Sequence, residues 1–135
     1  MNKKINVVLD TSVVVSAFWS ADGNPANIIK MFPEEITPHI NDLILSEYKE
    51  VLNRSKFNFS EEKKEAFFAK MNEYGKRHMP NESTIPLIDE DDRIFYDTAK
   101  ESGAILITGN TKHFPNEAFV MTPAQFINMY DNNKT

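Results

Sequence analysis

Two dense apolar runs, Ile5 to Leu9 (INVVL) and Ala104 to Thr108 (AILIT), constrain this chain more than any other feature. Both are rich in β-branched side chains, and neither shows the alternation of a half-exposed strand. A strand of that kind is covered on both faces, as in a parallel sheet packed between helices. The first run stops at Asp10, passes two hydroxyls, Thr11 and Ser12, and then becomes apolar again as VVVSAF. A carboxylate at the end of a buried strand needs a physical reason.

Between and after these runs the sequence predicts helices. Val13 to about Ser20 forms one. Asn24-Pro25 reads as a cap followed by proline at the first helical position, opening a short helix through Met31. Asn41 to about Asn53 is strongly patterned. Ser60 caps the next helix, with Glu61 and Glu62 in its positive first turn and Gly75 beyond its last. Asp92 to Ser102 is a helix stopped by Gly103. Phe119 to Met121 is a short third strand, and Thr122-Pro123 opens the final helix. Strands alternating with helices give a three-layer α/β/α sandwich with a mostly parallel central sheet. At 135 residues, with no repeat or linker, 1–135 reads as a single domain.

In open parallel sheets, ligands bind outside the carboxyl ends of the strands. Asp10 stands at such an end, and Thr108, Gly109 and Asn110 stand at another. Asp10 has two readings: a cap for the helix that follows, or a group facing a crevice. Glu47 bears on the choice. At ~100° per residue, Ile44, Tyr48, Val51 and Leu52 share one arc of their helix, and Glu47 falls inside that arc, beside Val51. Lys49 points to the opposite side. A carboxylate on an apolar face is paired, protonated or bound to a cation; a salt-bridged Glu at the rim is the plainer alternative.

The third acidic cluster is 89-DEDDRIFYDTA-99. Acids here suit the start of a helix. Ile94, Phe95, Thr98, Ala99 and Ser102 make the buried arc, Asp92 lies at its edge, and Asp97 faces away. Asp92 is therefore the residue expected at the sheet end, with Asp91 its nearest competitor. Three carboxylates brought together repel unless a cation neutralises them. Hard ions such as Mg²⁺ or Mn²⁺ take a few carboxylates plus water, activate water and offset phosphoryl charge. Asp10 is then a metal ligand.

Composition narrows the alternatives. The net charge of −5 argues against a protein coated in positive charge for non-specific nucleic-acid binding, but not against a nucleic-acid enzyme with acids in a metal site. There are no cysteines, hence no disulfides, thiolate metal site or Cys nucleophile. The amino terminus lacks the long apolar stretch of a signal peptide, and no run approaches the ~18 residues of a membrane span. A cytoplasmic protein is the expectation.

The ordered set VVLDTSVVVSAF, SEYKEVLNRSKF, DDRIFYDTAKESGAILITGN and KHFP resembles the PIN domain family, and the chain fits the family's length. The resemblance extends to the toxins of VapBC-type toxin–antitoxin pairs. It implies a nuclease that cuts single-stranded RNA with one or two Mg²⁺ or Mn²⁺ ions, and a small antitoxin protein as partner. The implied metal ligands are Asp10, Glu47, Asp92 and Asn110. Many members have Asp at the last position, so here the fourth ligand adds no charge. Ser12 and Thr108 match hydroxyls that line the site and orient water or phosphate.

Other residues carry less. His113 lies near the proposed site; His39 and His78 have no metal-ligand spacing. Lys112, Arg93, Arg54 and Lys56 are candidates for RNA backbone contacts. Trp19 and the phenylalanines are expected in the core, and FFAKMNEY in a core or groove, with a homodimer or antitoxin surface as the alternative. Two competing functions stand: a PIN-like scaffold that binds RNA or protein but cuts weakly, and an aspartyl-phosphate phosphohydrolase. The latter wants a second Asp where this chain has Ser12, and a suitably placed Lys that it lacks. The four glycines form no phosphate loop.

Overall fold

The computed structural model describes residues 4–133. Its strands β1 (Ile5–Leu9), β2 (Ile36–Ile40), β3 (Lys76–Arg77), β4 (Ile105–Ile107) and β5 (Val120–Met121) form one five-stranded sheet in the order β3-β2-β1-β4-β5. Every pairing is parallel, so the sheet is wholly parallel among the described residues. The two apolar runs lie side by side at its centre, with Leu9 opposite Ile107. Val7, Val8 and Leu9 are all buried. Successive strand residues point to opposite faces, so burial of all three means that helices cover both sides.

Helix α5 (Arg93–Ser102) packs across β1, β2 and β4. Helix α1 (Thr11–Trp19) packs against α2 (Asn24–Lys30) and α3 (Asp42–Leu52), while α2 meets α6 (Pro123–Asn132). Helix α4 (Glu61–Tyr74) leans on β2. The predicted caps operate: Ser60 accepts the Lys63 N–H, Thr122 and Gln125 form a reciprocal capping box, and Gly103 ends α5 with φ 63°. In α3 the buried residues are Ile44, Tyr48, Val51 and Leu52, the arc read from periodicity. Asn41 caps α3 through the Ile44 N–H and also donates to Thr98 Oγ1 (2.9 Å) and the His78 carbonyl (3.1 Å). One buried amide thus ties the start of α3 to α5 and to the segment after β3.

Several expectations need correction. Strands β2 and β3 were not foreseen. Pro38 in ITPHI argues against a strand, yet β3 pairs only with His39 and Ile40, so β2 is an edge at Pro38 on that side. The cap of α2 is Gly23, with Asn24 already helical. The acidic segment begins as a 3-10 turn, Glu90–Asp92, and α5 proper starts at Arg93. Asp97 does not face away: it is 5% exposed and accepts the Ser83 N–H at 3.0 Å, because residues 79–89 lie over that side of α5. Trp19 is no core residue. It is 61% exposed, its ring resting edge-on against Phe57 and Phe59.

Candidate metal centre

The sheet order places the chain's switch of direction at β1. Its neighbours β2 and β4 are reached by connections running opposite ways, which opens a crevice at the carboxyl ends of β1 and β4. Asp10 and Thr108 follow those ends directly. Asp10 is buried, and its N–H donates to the Ile107 carbonyl at 2.9 Å. It occupies the cap position of α1, but its side chain makes no capping bond. Oδ2 accepts instead from Ser12 Oγ and from Thr108 Oγ1, both at 2.8 Å. Each hydroxyl is oriented in turn by a backbone N–H of the β4 turn, Gly109 to Ser12 Oγ (3.2 Å) and Asn110 to Thr108 Oγ1 (3.0 Å). The two hydroxyls, each held by a backbone N–H, fix one carboxylate oxygen and leave Oδ1 without a donor among the described residues.

Tyr48 supports the same strand end from below. Fully buried, it donates its hydroxyl to the Leu9 carbonyl, and burial, with the Asp10 charge, holds its pKa well above the usual phenol range. The periodicity of α3 marks Tyr48 as core; its hydroxyl, next in sequence to Glu47, was the signal that it also braces the site.

Asp92 stands opposite. Its side chain is 17% exposed, and Oδ2 is buried with no hydrogen-bond partner. Burial first, then the charges of Asp10 and Asp89, push its pKa from 3.8 up to about 6, against the opposing pull of His113. His113 Nδ1 lies 3.9 Å from that same oxygen. Glu47 is half-buried on α3. Its pKa is raised by burial, by Asp91 and by Glu50, and it receives a long 3.5 Å hydrogen bond from Thr11 Oγ1. Asp92 therefore senses Asp10, while the charge of its exposed neighbour Asp91 helps to raise Glu47. Asn110 is exposed and joined to the cluster through its backbone alone.

The structure thus joins Asp10, Ser12 and Thr108 directly and couples Asp92 to Asp10 through charge. Glu47 and the Asn110 side chain stand further out. Among the described residues no three His, Asp or Glu side chains form a closed ligand cage. The donors present still suit a hard cation. All are oxygens, one is a buried orphaned carboxylate oxygen, and Mg²⁺ commonly takes only one or two carboxylates with water completing its shell.

Residues 6–112 match the family model described as PIN domain. The chain belongs to the PIN domain family. Among solved structures, this PIN domain resembles a chain of VapBC2 from Rickettsia felis, crystallised bound to a DNA fragment from their promoter. The TM-score is 0.59 at 16% identity, covering 87% of this chain and 97% of that one. At that identity the likeness speaks for the fold. No curated protein sequence matches.

Proposed function

We propose that this PIN domain is a Mg²⁺- or Mn²⁺-dependent endoribonuclease acting on single-stranded RNA, and the toxin of a toxin–antitoxin pair. The observation that carries the reading is the buried, unpartnered Asp92 oxygen coupled to Asp10 across the crevice. Like charges offset only by the distant, half-exposed His113 raise the free energy of the metal-free fold and are relieved by a divalent ion. Asp10 and Asp92 would hold that ion, with Glu47 and the Asn110 oxygen at its periphery through water. When bound, it supplies activated water and offsets the charge that develops on the phosphodiester.

The chain's own residues prepare that chemistry. Ser12 and Thr108 hold one oxygen of the Asp10 carboxylate, which leaves Oδ1 to bind the ion. Glu47, whose pKa burial raises, and Asp91 would serve as proton acceptors. The likeness to a VapBC2 chain supports a small antitoxin protein as partner. No helix of the described residues is long and apolar enough to cross a membrane. The uncharged Asn110 favours one second reading, a PIN scaffold that binds RNA but cuts weakly. Incubation of the purified chain with single-stranded RNA and Mn²⁺, beside Asp10→Asn, decides between them: cleavage by the parent alone is expected. RNA that is bound but left intact by both would establish the scaffold.

A further inference from the structure

The stretch between β3 and α5, residues 78–89, has no regular structure, yet it is pinned to α5 residue by residue. Arg93, Asp97 and Glu101 stand four residues apart, in one column along the helix. Glu101 accepts the Asn81 N–H and pairs with His78 Nε2 at 2.9 Å. Asp97 accepts the Ser83 N–H at 3.0 Å. Arg93 donates from Nη1 to the Ser83 carbonyl and hydroxyl, both 2.9 Å, and from Nη2 to the Ile85 carbonyl at 2.8 Å. The residues addressed, 81, 83 and 85, alternate as on one edge of an extended strand. The stretch therefore runs back along α5 towards its amino end, and there it becomes the acidic turn Glu90–Asp92.

Arg93 is where the two meet. Its remaining donors form a fork on Glu90, Nε to Oε2 and Nη2 to Oε1, each at 2.7 Å. All five guanidinium N–H groups have acceptors, and the side chain is only 12% exposed. One edge of the group grips the incoming chain and another grips the turn that carries Asp91 and Asp92. The sequence offered Arg93 as an RNA contact; with every donor engaged inside the protein, it has none left for a phosphate.

We propose that Arg93 is a positioning residue, which registers the 81–85 stretch against the acidic turn and so aims Asp92 at Asp10. The functional half of this rests on the metal-dependent reading above. A lysine keeps the charge but cannot hold five acceptors in one plane. Removing the partner that orients a metal ligand commonly costs 10–100-fold in metal affinity.

The test compares Arg93→Lys with Glu101→Ala, which cuts the same column at its far end. Amide hydrogen exchange of the full chain, without metal, should quicken at residues 90–93 in Arg93→Lys and stay at the parent rate there in Glu101→Ala. The Mn²⁺ concentration for half-maximal RNA cleavage should rise about tenfold in Arg93→Lys alone, with the rate recovering at saturating Mn²⁺. If Arg93→Lys does not fold, Glu90→Ala severs only the half of the fork that faces the turn and should give both effects. Exchange at 90–93 no faster than in Glu101→Ala, or an unchanged Mn²⁺ requirement, would overturn the proposal. A parent protein that neither binds Mn²⁺ nor cleaves RNA would instead bring down the metal-dependent reading, and the exchange comparison would still decide whether Arg93 holds the turn.

Discussion

Thr108 Oγ1 meets the Asp10 carboxylate at 2.8 Å, across 98 positions of sequence. The contact is buried, and it joins the ends of the two central strands.

It yields the first prediction. Thr108→Val keeps the shape but leaves the Asp10 oxygen one donor short and the Asn110 N–H without its acceptor. Stability should fall by about 1–2 kcal/mol, with RNA cleavage reduced. Asp10→Asn retains an oxygen for both hydroxyls, so it should fold normally and lose cleavage. Urea denaturation and an RNA assay with Mn²⁺ check both; parental cleavage by Asp10→Asn would refute the role given to Asp10.

Asp92 gives a pH prediction of definite sign. Its folded pKa, about 6, lies above the ordinary 3.8, so the folded state holds its proton more tightly than the unfolded chain does. The metal-free protein therefore loses stability as pH rises from about 4 to about 6. Asp92→Asn should be indifferent below that window and stabilising above it, by up to about 3 kcal/mol. Stabilisation by Mn²⁺ should grow through the same window, since the ion needs the carboxylate. Melting curves between pH 4 and 8, with and without Mn²⁺, report both trends.

His39 has the opposite dependence. It is buried on β2, neither ring nitrogen has a partner, and burial, then Lys76 and His78, lower its pKa. The unfolded chain thus takes up a proton near pH 6.5 that the folded protein resists, so stability present above about 6.5 is lost as pH falls. His39→Leu should flatten that loss. Equal acid sensitivity of parent and variant would contradict it.

Asn110→Asp adds a negative charge at the position proposed for the fourth ligand. Mn²⁺ binding should tighten severalfold. Because the side chain is exposed, the accompanying loss of metal-free stability should stay under about 1 kcal/mol. Calorimetric titration of both proteins measures the first effect and apo melting the second; no change in either would place Asn110 outside the metal's reach.

What was legible in the sequence followed from periodicity and from isolated anomalies. The arc of α3, the caps at Ser60 and Thr122 and the stop at Gly103 all follow from local rules, and Asp10 stood out because buried strands do not end in carboxylates without cause. The misreadings were non-local. Asp97 and Arg93 look like solvated charges until residues 79–89 lie over them, and no helical wheel registers a neighbour without secondary structure. Pro38 hid β2 because its tolerance depends on how little of β3 exists. Trp19 stays exposed with its ring edge-on against Phe57 and Phe59, a non-local contact that composition does not show.

The central position of β1 also sets a timetable. The strand that leads into Asp10 leaves the ribosome well before its partner β4, which is nearly a hundred residues behind. A growing chain can hold Asp10, Glu47 and even Asp92 and still have no crevice, because Thr108 and the turn after it have yet to arrive. Pairings this distant in sequence form late. The centre is therefore absent while α1 to α5 are being made and forms only when β4 and the turn after it close against β1.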